Sequence, residues 1–235
     1  MIRSILRGIA VCGVALAGMP MLSRSGTAAP PTTLPAAELG RGLAPVAGEE
    51  TAIFSGGCFW GVQAVFQHTK GVTSAVSGYT GGGLRNPGYE QVSTGTTGHA
   101  ESVRVTFDPS QVSYADLLHI FFSVATDPTE LNYQGPDHGT QYRSVLWYTT
   151  DAQQKTAKAY INQLTKAKAY PNPIVTEVKP AKPFYPAEGY HQDYATLHPD
   201  DGYIVVNDAP KVVNLKRLFP NLYREQPVLV GSTQP

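Results

Sequence analysis

Cysteine is scarce in this chain: among 235 residues there are only two, Cys12 and Cys58. Cys12 lies within residues 1–29, which read as a removable leader, so the remaining chain would hold one thiol. A single cysteine cannot form an intramolecular disulfide, although export would permit one. The fold therefore depends on its hydrophobic core, which ~200 residues are long enough to bury as one domain.

An excess of positive charge is also missing. The chain carries 18 Lys and Arg against 18 Asp and Glu. Removing residues 1–29, which contain three arginines and no acid, leaves a net charge of −3. Nucleic-acid-binding domains show clustered positive charge, so we expect no nucleic-acid partner. The six histidines show no metal-ligand spacing such as HExxH. We therefore expect no bound metal or other cofactor.

The N-terminal apolar run is too short for a stable membrane span, which needs ~20 residues. It covers residues 8–22, follows an arginine-containing start and is interrupted by Pro20. Small residues at positions 27–29 complete the pattern of a cleaved signal peptide over residues 1–29. We expect an exported protein, periplasmic or secreted. An uncleaved leader that anchors the protein to a membrane is the alternative.

The rest of the chain divides by composition. Residues 30–50 are rich in proline, alanine and glycine with little periodicity, which predicts a flexible tether. Hydrophobic patterns begin at Thr51, and we assign residues 51–224 to one domain and residues 225–235 to a tail.

Strand-like and helix-like patterns alternate within that domain. The runs AIFSG, VTSAVSGY, ESVRVTF, RSVLWYTT and PIVTEV predict strands. A helix follows Cys58, another begins at Ser113 with Asp116 three residues later as a capping box, and a third starts at Asp151. The order β-α-β-β-α-β, with a further helix and strand appended, predicts an α+β fold. Its mixed sheet would have a split β-α-β (ferredoxin-like) arrangement with a C-terminal extension.

Two long coil segments, residues 79–100 and 125–142, interrupt this pattern. Long ordered loops in a compact domain are usually functional. These two contain Tyr79, Tyr89, Tyr133 and Tyr142, and tyrosine is uncommon in disordered segments. We expect both loops to pack over a functional surface.

Cys58 lies in SGGCFWG, at a predicted strand-to-helix junction. The N–H groups and dipole at a helix N-terminus favour the nucleophilic thiolate. Gly56 and Gly57 permit a tight turn and close approach of another molecule. A buried, inert cysteine is the alternative. Phe59 and Trp60 diverge by about 100° on a helix, so one can pack inward while the other lines a pocket beside the thiol.

Three other residue types could assist the thiol. Glu101 opens the strand ESVRVTF, and it would approach Cys58 if that strand neighbours the strand before Cys58. A carboxyl buried there would have a raised pKa, act as a general acid and titrate together with the thiol. A solvated glutamate is the alternative. Asp137 reads as a turn residue, while Tyr89 and Tyr142 offer hydroxyl donors.

These blocks together resemble the A-type peptide methionine sulfoxide reductases. SGGCFWGVQAVF is similar to the family's signature, and GVTSAVSGYTGG, NPGYEQVSTGTTGHAESVRVTFDP, QGPDHGTQYRS and PAEGYHQDY follow in matching order. The resemblance spans about residues 51–194 and would make residues 51–224 the catalytic domain. It implies a mixed sheet of the split β-α-β kind with long coil segments, and a role in the repair of oxidised proteins under oxidative stress.

The resemblance also implies roles for seven side chains. Cys58 would attack the sulfoxide sulfur and become a sulfenic acid. Glu101 would protonate the sulfoxide oxygen, to which Tyr89 and Tyr142 would donate hydrogen bonds. Phe59 and Trp60 would hold the methyl group, and Asp137 would lie at the edge of the site and support substrate or water through hydrogen bonds. The family reduces the S epimer of methionine sulfoxide, free or within proteins.

The chain departs from many relatives because no second cysteine follows Cys58. An external thiol of the glutathione, thioredoxin or glutaredoxin type would have to reduce the sulfenic acid. We expect a monomer that meets oxidised proteins or peptides and this reductant. Two rival hypotheses remain: a cysteine hydrolase with His99 or His191 as base, and a non-catalytic module with an incidental thiol.

Overall fold

The computed structural model of the chain describes residues 33–40 and 48–230. The predicted signal peptide lies outside these residues, as do parts of the predicted tether and tail. Within the described ranges, none of the helices has the length and apolar character needed to cross a membrane.

A six-stranded sheet forms the centre of the fold, and β-strand β3 lies between β1 and β2, which are consecutive in the chain. In spatial order the strands are Glu177–Pro180 (β7), Val145–Tyr148 (β6), Glu50–Ser55 (β1), Ala100–Phe107 (β3), Val72–Thr80 (β2) and Tyr185–Pro186 (β8). Neighbours are antiparallel except β6 and β7. Tyr133–Gln134 (β4) and Asp137–His138 (β5) form a separate hairpin. The insertion of β3 confirms the predicted split β-α-β arrangement.

In the part of the chain that the structure describes, six α-helices accompany the sheet: Phe59–Gln67 (α1), Tyr89–Ser93 (α2), Tyr114–Ile120 (α3), Asp151–Lys166 (α4), Tyr194–Leu197 (α5) and Ala209–Leu218 (α6). One π-helical turn, Phe121–Ala125, extends α3, and another, Ile204–Asp208, precedes α6. The predicted capping box is present: Ser113 Oγ accepts a hydrogen bond from Asp116 N at 3.1 Å, and the Asp116 carboxylate accepts one from Ser113 N. The sequence patterns did not predict α2, α5 or α6.

The core lies between the sheet and helices α1 and α3. Phe54 of β1 stacks on Phe66 of α1 with ring centroids 4.7 Å apart, and Phe121 lies 5.2 Å from Phe54. All three rings are fully buried. This packing joins the strand before Cys58 to the helix after it, so the connection between them is held from both sides.

Residues 33–40 pack against the domain, whereas a flexible tether was predicted over residues 30–50. Tyr160 donates a hydrogen bond from its hydroxyl to Pro35 O at 2.8 Å, and Gln163 Nε2 donates one to Ala36 O at 2.8 Å. Leu34 and Ala37 are buried in the core. Composition could not reveal this, because the groups that fix the segment come from α4, more than 100 residues later in the chain.

The two long loops are ordered because they hold one another. Thr140 Oγ1 donates a hydrogen bond to Gly95 O at 2.8 Å. Arg143 spans both loops, donating from Nη2 to Gly98 O at 3.0 Å and from Nη1 to Thr140 O at 2.7 Å. The loop residues predicted to face a functional surface are therefore carried on a braced pair of loops.

Residues 219–230, here called the C-terminal strap, cover the C-terminal end of α1. Backbone N–H groups of Arg224 and Val228 donate to the carbonyls of His68 and Gln67 at 2.8 and 3.1 Å. The described part of the predicted tail, residues 225–230, thus belongs to the fold.

Candidate active site

Cys58 occupies the N-cap position of α1, directly after β1. The turn that presents it requires glycine. Gly57 has a φ of +94°, and a Cβ at that position would lie 2.6 Å from Gln134 Cβ. A Cβ at Gly56 would lie 2.7 Å from the ring of Phe121. Gly57 therefore lets the loop that carries Gln134 approach the turn, and Gly56 lets the ring of Phe121 pack against it.

Glu101 lies beside this turn because β3 pairs with β1. The strand that begins near Glu101 is thus the neighbour of the strand before Cys58, as its approach to Cys58 required. The Glu101 side chain is 3% exposed, and Oε2 accepts a hydrogen bond from Phe59 N at 3.0 Å. Burial raises the pKa of Glu101 to about 8, against a lowering by the Phe59 N–H and with further raising by Asp137 and Asp208. The carboxyl is therefore largely protonated at neutral pH.

The pKa of Cys58 is also raised, whereas the helix N-terminus alone predicted a stabilised thiolate. Burial is the main cause, and the negative charges of Glu101 and Asp208 add to it. The backbone N–H of Trp60 and the ammonium of Lys211 oppose this effect without overcoming it. The resting site thus holds a thiol and a carboxyl group that each titrate under the influence of the other.

Three tyrosine hydroxyls face this pair. The pKa of Tyr89 and of Tyr142 is raised by burial and by the nearby charges of Glu101 and Asp137. Tyr203, which the sequence did not single out, donates a hydrogen bond to Asp137 Oδ2. Burial, the charge of Cys58 and this bond raise the pKa of Tyr203. All three phenols are therefore protonated donors at physiological pH.

Phe59 and Trp60 diverge as expected from consecutive helical positions. Phe59 is fully buried, with its ring 5.8 Å from that of Tyr79. Trp60 is half-buried and stacks on Tyr194 with centroids 3.9 Å apart and an interplanar angle of 11°. Tyr203 meets the Trp60 ring edge-on at 5.8 Å. An aromatic wall thus stands beside the thiol.

The two histidines proposed as bases serve other purposes. His99 accepts a hydrogen bond from Gly82 N at Nδ1 and contacts Leu84 O through Nε2 at 2.8 Å, so both ring nitrogens hold the loop. His191 Nδ1 accepts the indole N–H of Trp60 at 3.2 Å. Because Nδ1 accepts this bond, a neutral His191 carries its proton on Nε2. Neither ring nitrogen is then free to accept a proton from Cys58.

Two residues of the PAEGYHQDY block, Glu188 and Gln192, hold the surroundings of the site through hydrogen bonds. Glu188 accepts hydrogen bonds from Tyr89 N at 2.8 Å and from the Tyr79 hydroxyl at 2.9 Å. Gln192 bridges strand and helix, because its Oε1 accepts from Ser77 N and from Gln63 Nε2. Glu188 therefore joins Tyr89, in residues 79–100, to Tyr79 at the end of β2.

All seven residues predicted for the site converge on it, and the structure adds Tyr203, Asp208 and Lys211. These three come from the segment before α6 and from α6 itself, which returns to α1. Gly61, in the first turn of α1, was the one local signal of this approach, because a glycine inside a helical pattern often marks a close neighbour.

Comparisons with known proteins agree with this geometry. The family model of peptide methionine sulfoxide reductase matches residues 50–221. A peptide methionine sulfoxide reductase of Mesorhizobium japonicum is 64% identical over 79% of this chain and 95% of its own. One from Polynucleobacter asymbioticus is 50% identical, over 75% and 93%.

Solved structures show the same fold. The reduced form of Mxr1 from Saccharomyces cerevisiae superposes with a TM-score of 0.60 at 34% identity, covering 66% of this chain and 88% of that one. Methionine sulfoxide reductase A of Corynebacterium diphtheriae gives 0.56 at 35% identity, covering 66% and 77%. A buried thiol beside a protonated carboxyl, on this fold and in this sequence family, places the chain in the peptide methionine sulfoxide reductases, which reduce methionine sulfoxide to methionine and so repair oxidised proteins.

Proposed function

We propose that Cys58 and Glu101 carry out this reduction on the S epimer of methionine sulfoxide, free or within proteins. The observation that carries the proposal is the position of Glu101: its carboxyl is buried beside the thiol and has a pKa of about 8. A sulfoxide oxygen is a poor leaving group until it is protonated. A carboxyl that keeps its proton at pH 7 can supply that proton as a general acid.

The proton balance of the reaction needs only these two groups. The thiol of Cys58 loses its proton as its sulfur attacks the sulfoxide sulfur, while Glu101 gives a proton to the oxygen. The hydroxyl group formed in this way then moves to the Cys58 sulfur: the S–O bond of the sulfoxide and the new S–S bond both break, and Cys58 is left as a sulfenic acid. The proton from the thiol restores Glu101, so the carboxyl is unchanged after one turnover and methionine is released.

The surrounding side chains would select and hold the substrate. The hydroxyls of Tyr89 and Tyr142 would donate hydrogen bonds to the oxygen, stabilising charge as the S–O bond polarises. Phe59 and Trp60 would hold the methyl group, and aromatic edges also favour sulfur. Asp137, held by Tyr203, would hydrogen-bond the substrate or a water at the site's edge. The oxygen would bind on the tyrosine side of the site and the methyl group on the aromatic side. With both groups placed in this way, only one epimer presents its sulfur to the thiol.

A single cysteine completes the cycle with an outside thiol. Cys58 is the one cysteine in the part of the chain that the structure describes. After turnover, a glutathione-like small thiol or a thioredoxin- or glutaredoxin-type protein would attack the sulfenic acid, giving a mixed disulfide and water. A second thiol would then release reduced Cys58.

One turnover without reductant tests the scheme. The protein is mixed with one equivalent of each separate epimer of N-acetyl-methionine sulfoxide, and its intact mass is recorded. The S epimer should add one oxygen to the protein, and the R epimer should add nothing. A protein two hydrogens lighter would overturn the one-thiol cycle. Equal reaction of both epimers would overturn the proposal that the oxygen and the methyl group bind on different sides of the site.

We also propose that the chain acts outside the cytoplasm. The support is the signal-peptide pattern of residues 1–29. Expression of the full chain, cell fractionation and N-terminal sequencing test this. A mature N-terminus near residue 30 in the exported fraction is expected, and an intact Met1 in a membrane fraction would favour the anchor instead.

A further inference from the structure

A buried ion pair lies against the first turn of α1, on the side that the reaction scheme does not use. Asp208 is fully buried, and its Oδ1 is 2.9 Å from Lys211 Nζ. A Cβ at Gly61 would overlap with Asp208 Oδ1 and lie 2.9 Å from Lys211 Nζ. Because Gly61 is three residues after Cys58, the pair packs on the same helical turn as the thiol.

The pair is incompletely satisfied. Asp208 Oδ2 is buried and has no hydrogen-bond partner. A buried carboxylate oxygen without a partner is costly, so such groups are uncommon in native structures unless they serve a purpose. Lys211 keeps 24% of its side chain exposed. One charge is therefore sealed inside the protein, while the other lies between it and solvent.

We propose that Asp208 and Lys211 are positioning residues which set how readily the Cys58–Glu101 couple gains and loses protons. The inference rests on the proposed function of that couple. Neither residue needs to touch the substrate, because both act through their charges on the first turn of α1. Asp208 favours the neutral forms of the thiol and the carboxyl, whereas Lys211 favours the thiolate.

The electrostatics of the site agree with this division. The negative charge of Asp208 contributes to the raised pKa of Cys58 and of Glu101, and Lys211 acts on Cys58 in the opposite direction. Burial raises the pKa of Asp208 itself, against the attraction of Lys211. The groups around Cys58 and Glu101 come from several elements. In chain order they are Tyr79 on β2, Tyr89 on α2, Asp137 on β5, Tyr142 after β5, Tyr203 and Asp208 before α6, and Lys211 on α6.

Removing the two charges separately distinguishes an electrostatic role from a structural one. Asp208→Asn keeps the shape of the side chain and removes its charge, and Lys211→Met keeps the length of the side chain. The measurement is the rate of iodoacetamide alkylation at the Cys58 peptide, followed by mass spectrometry from about pH 7 to about pH 12, because the pKa of this thiol is raised above its ordinary value. Lys216→Met is the matched control, because Lys216 lies on the same helix but is exposed and pairs with Glu225.

The two variants should move the alkylation midpoint in opposite directions. We expect Asp208→Asn to lower it and Lys211→Met to raise it, each by about one pH unit. The double variant should return towards wild type, and Lys216→Met should not move it. The proposal would be overturned if the midpoints of both single variants stayed within about 0.2 pH unit of the wild-type midpoint. It would also be overturned if both midpoints shifted in the same direction.

Folding and function are controlled separately. Circular dichroism and urea unfolding report whether each variant folds, and Lys211→Gln replaces Lys211→Met if the latter does not. The alkylation midpoint is measured without substrate, so it stays informative even if Cys58 proved to have another reaction. Loss of sulfoxide reduction with an unmoved midpoint would show a structural role and reject the inference while leaving the proposed function intact.

Discussion

The two ends of helix α1 differ in how completely their polar groups are satisfied. At the C-terminal end, the carbonyls of Gln67 and His68 accept N–H groups from the C-terminal strap, and Thr69 Oγ1 donates to Val65 O at 2.9 Å. At the N-terminal end, Cys58 offers no side-chain cap. There, buried Asp208 Oδ2 and His191 Nε2 have no hydrogen-bond partner.

This difference indicates where stability and reactivity reside. The thiol and Glu101 both have a raised pKa because they are buried with little compensation. Such sites reduce stability, and the surrounding structure must offset the cost. The C-terminal strap offsets this cost at the C-terminal end of α1, and the buried rings of Phe54, Phe66 and Phe121 offset it along the core-facing side of α1. We therefore expect substitutions at the N-terminal end to affect turnover, and substitutions at the C-terminal end to affect unfolding.

The strongest test of the comparison is Cys58→Ser. A serine hydroxyl is a far weaker nucleophile towards sulfur, so we expect reduction of methionine sulfoxide with dithiothreitol to fall by more than about 10⁴-fold. The free energy of unfolding in urea should change by less than about 1 kcal/mol. A turnover rate of Cys58→Ser above about a hundredth of the wild-type rate would show that Cys58 is not the nucleophile.

Glu101→Gln should have the next largest effect. The amide still accepts the Phe59 N–H but cannot donate the proton, so kcat/KM should fall by about 10²–10⁴-fold. In the wild type, the acid is lost as Glu101 ionises, so kcat/KM should decline as the pH rises through about 8. That decline should be missing in the variant. Glu90→Gln, at an exposed position on α2, is the control and should keep both the rate and the pH profile.

Local patterns in the sequence explain why the central elements were predictable. The predicted elements, β1, β2, β3, β6 and β7 with α1, α3 and α4, each carry apolar residues in strand or helix patterns of their own. Such patterns are visible within about ten to twenty residues. Ser113 with Asp116 marks a helix start through neighbouring residues alone. The proximity of Cys58 and Glu101 followed once β1 and β3 were adjacent in the sheet, as the split arrangement requires.

The missing parts depend on contacts between distant segments. The site residues that the sequence did not single out are Tyr203, Asp208 and Lys211. They reach the site because α6, about 150 residues after α1 in the chain, packs against α1. Nothing in their own neighbourhood indicates a thiol. The raised pKa of Cys58 was missed for the same reason, since the helix N-terminus is local whereas burial and the charge of Asp208 are supplied by the whole fold.

Arg224→Ala tests the C-terminal end of α1. Arg224 Nη2 donates to Val72 O at 2.7 Å, joining the strap to the start of β2. Loss of this charged hydrogen bond should lower the free energy of unfolding by about 1.5–3 kcal/mol, measured in urea. The kcat of the folded enzyme should be unchanged. Arg85→Ala, at an exposed position in residues 79–100, is the matched control, and we expect a change within about 0.5 kcal/mol.

A fall in kcat of Arg224→Ala at a temperature where the variant is fully folded would break the comparison. It would mean that the strap transmits its effect along α1 to the thiol. Equal destabilisation by Arg224→Ala and Arg85→Ala would instead remove the special role of the strap, because Arg85 is exposed and lies outside the strap.

The smallest expected effect concerns residues 33–40, where a tether was predicted and a packed segment was found. Tyr160→Phe removes the hydroxyl that binds Pro35 O and leaves the buried ring in place. We expect a loss of about 0.5–1.5 kcal/mol in the free energy of unfolding, with turnover unchanged, since the segment lies against α4 rather than beside Cys58. Tyr148→Phe on β6 is the control, with a change within about 0.5 kcal/mol. If both tyrosines gave the same small value, the Tyr160 hydrogen bond would contribute nothing, and residues 33–40 would be held by the burial of Leu34 and Ala37 and by the hydrogen bonds to Gln163.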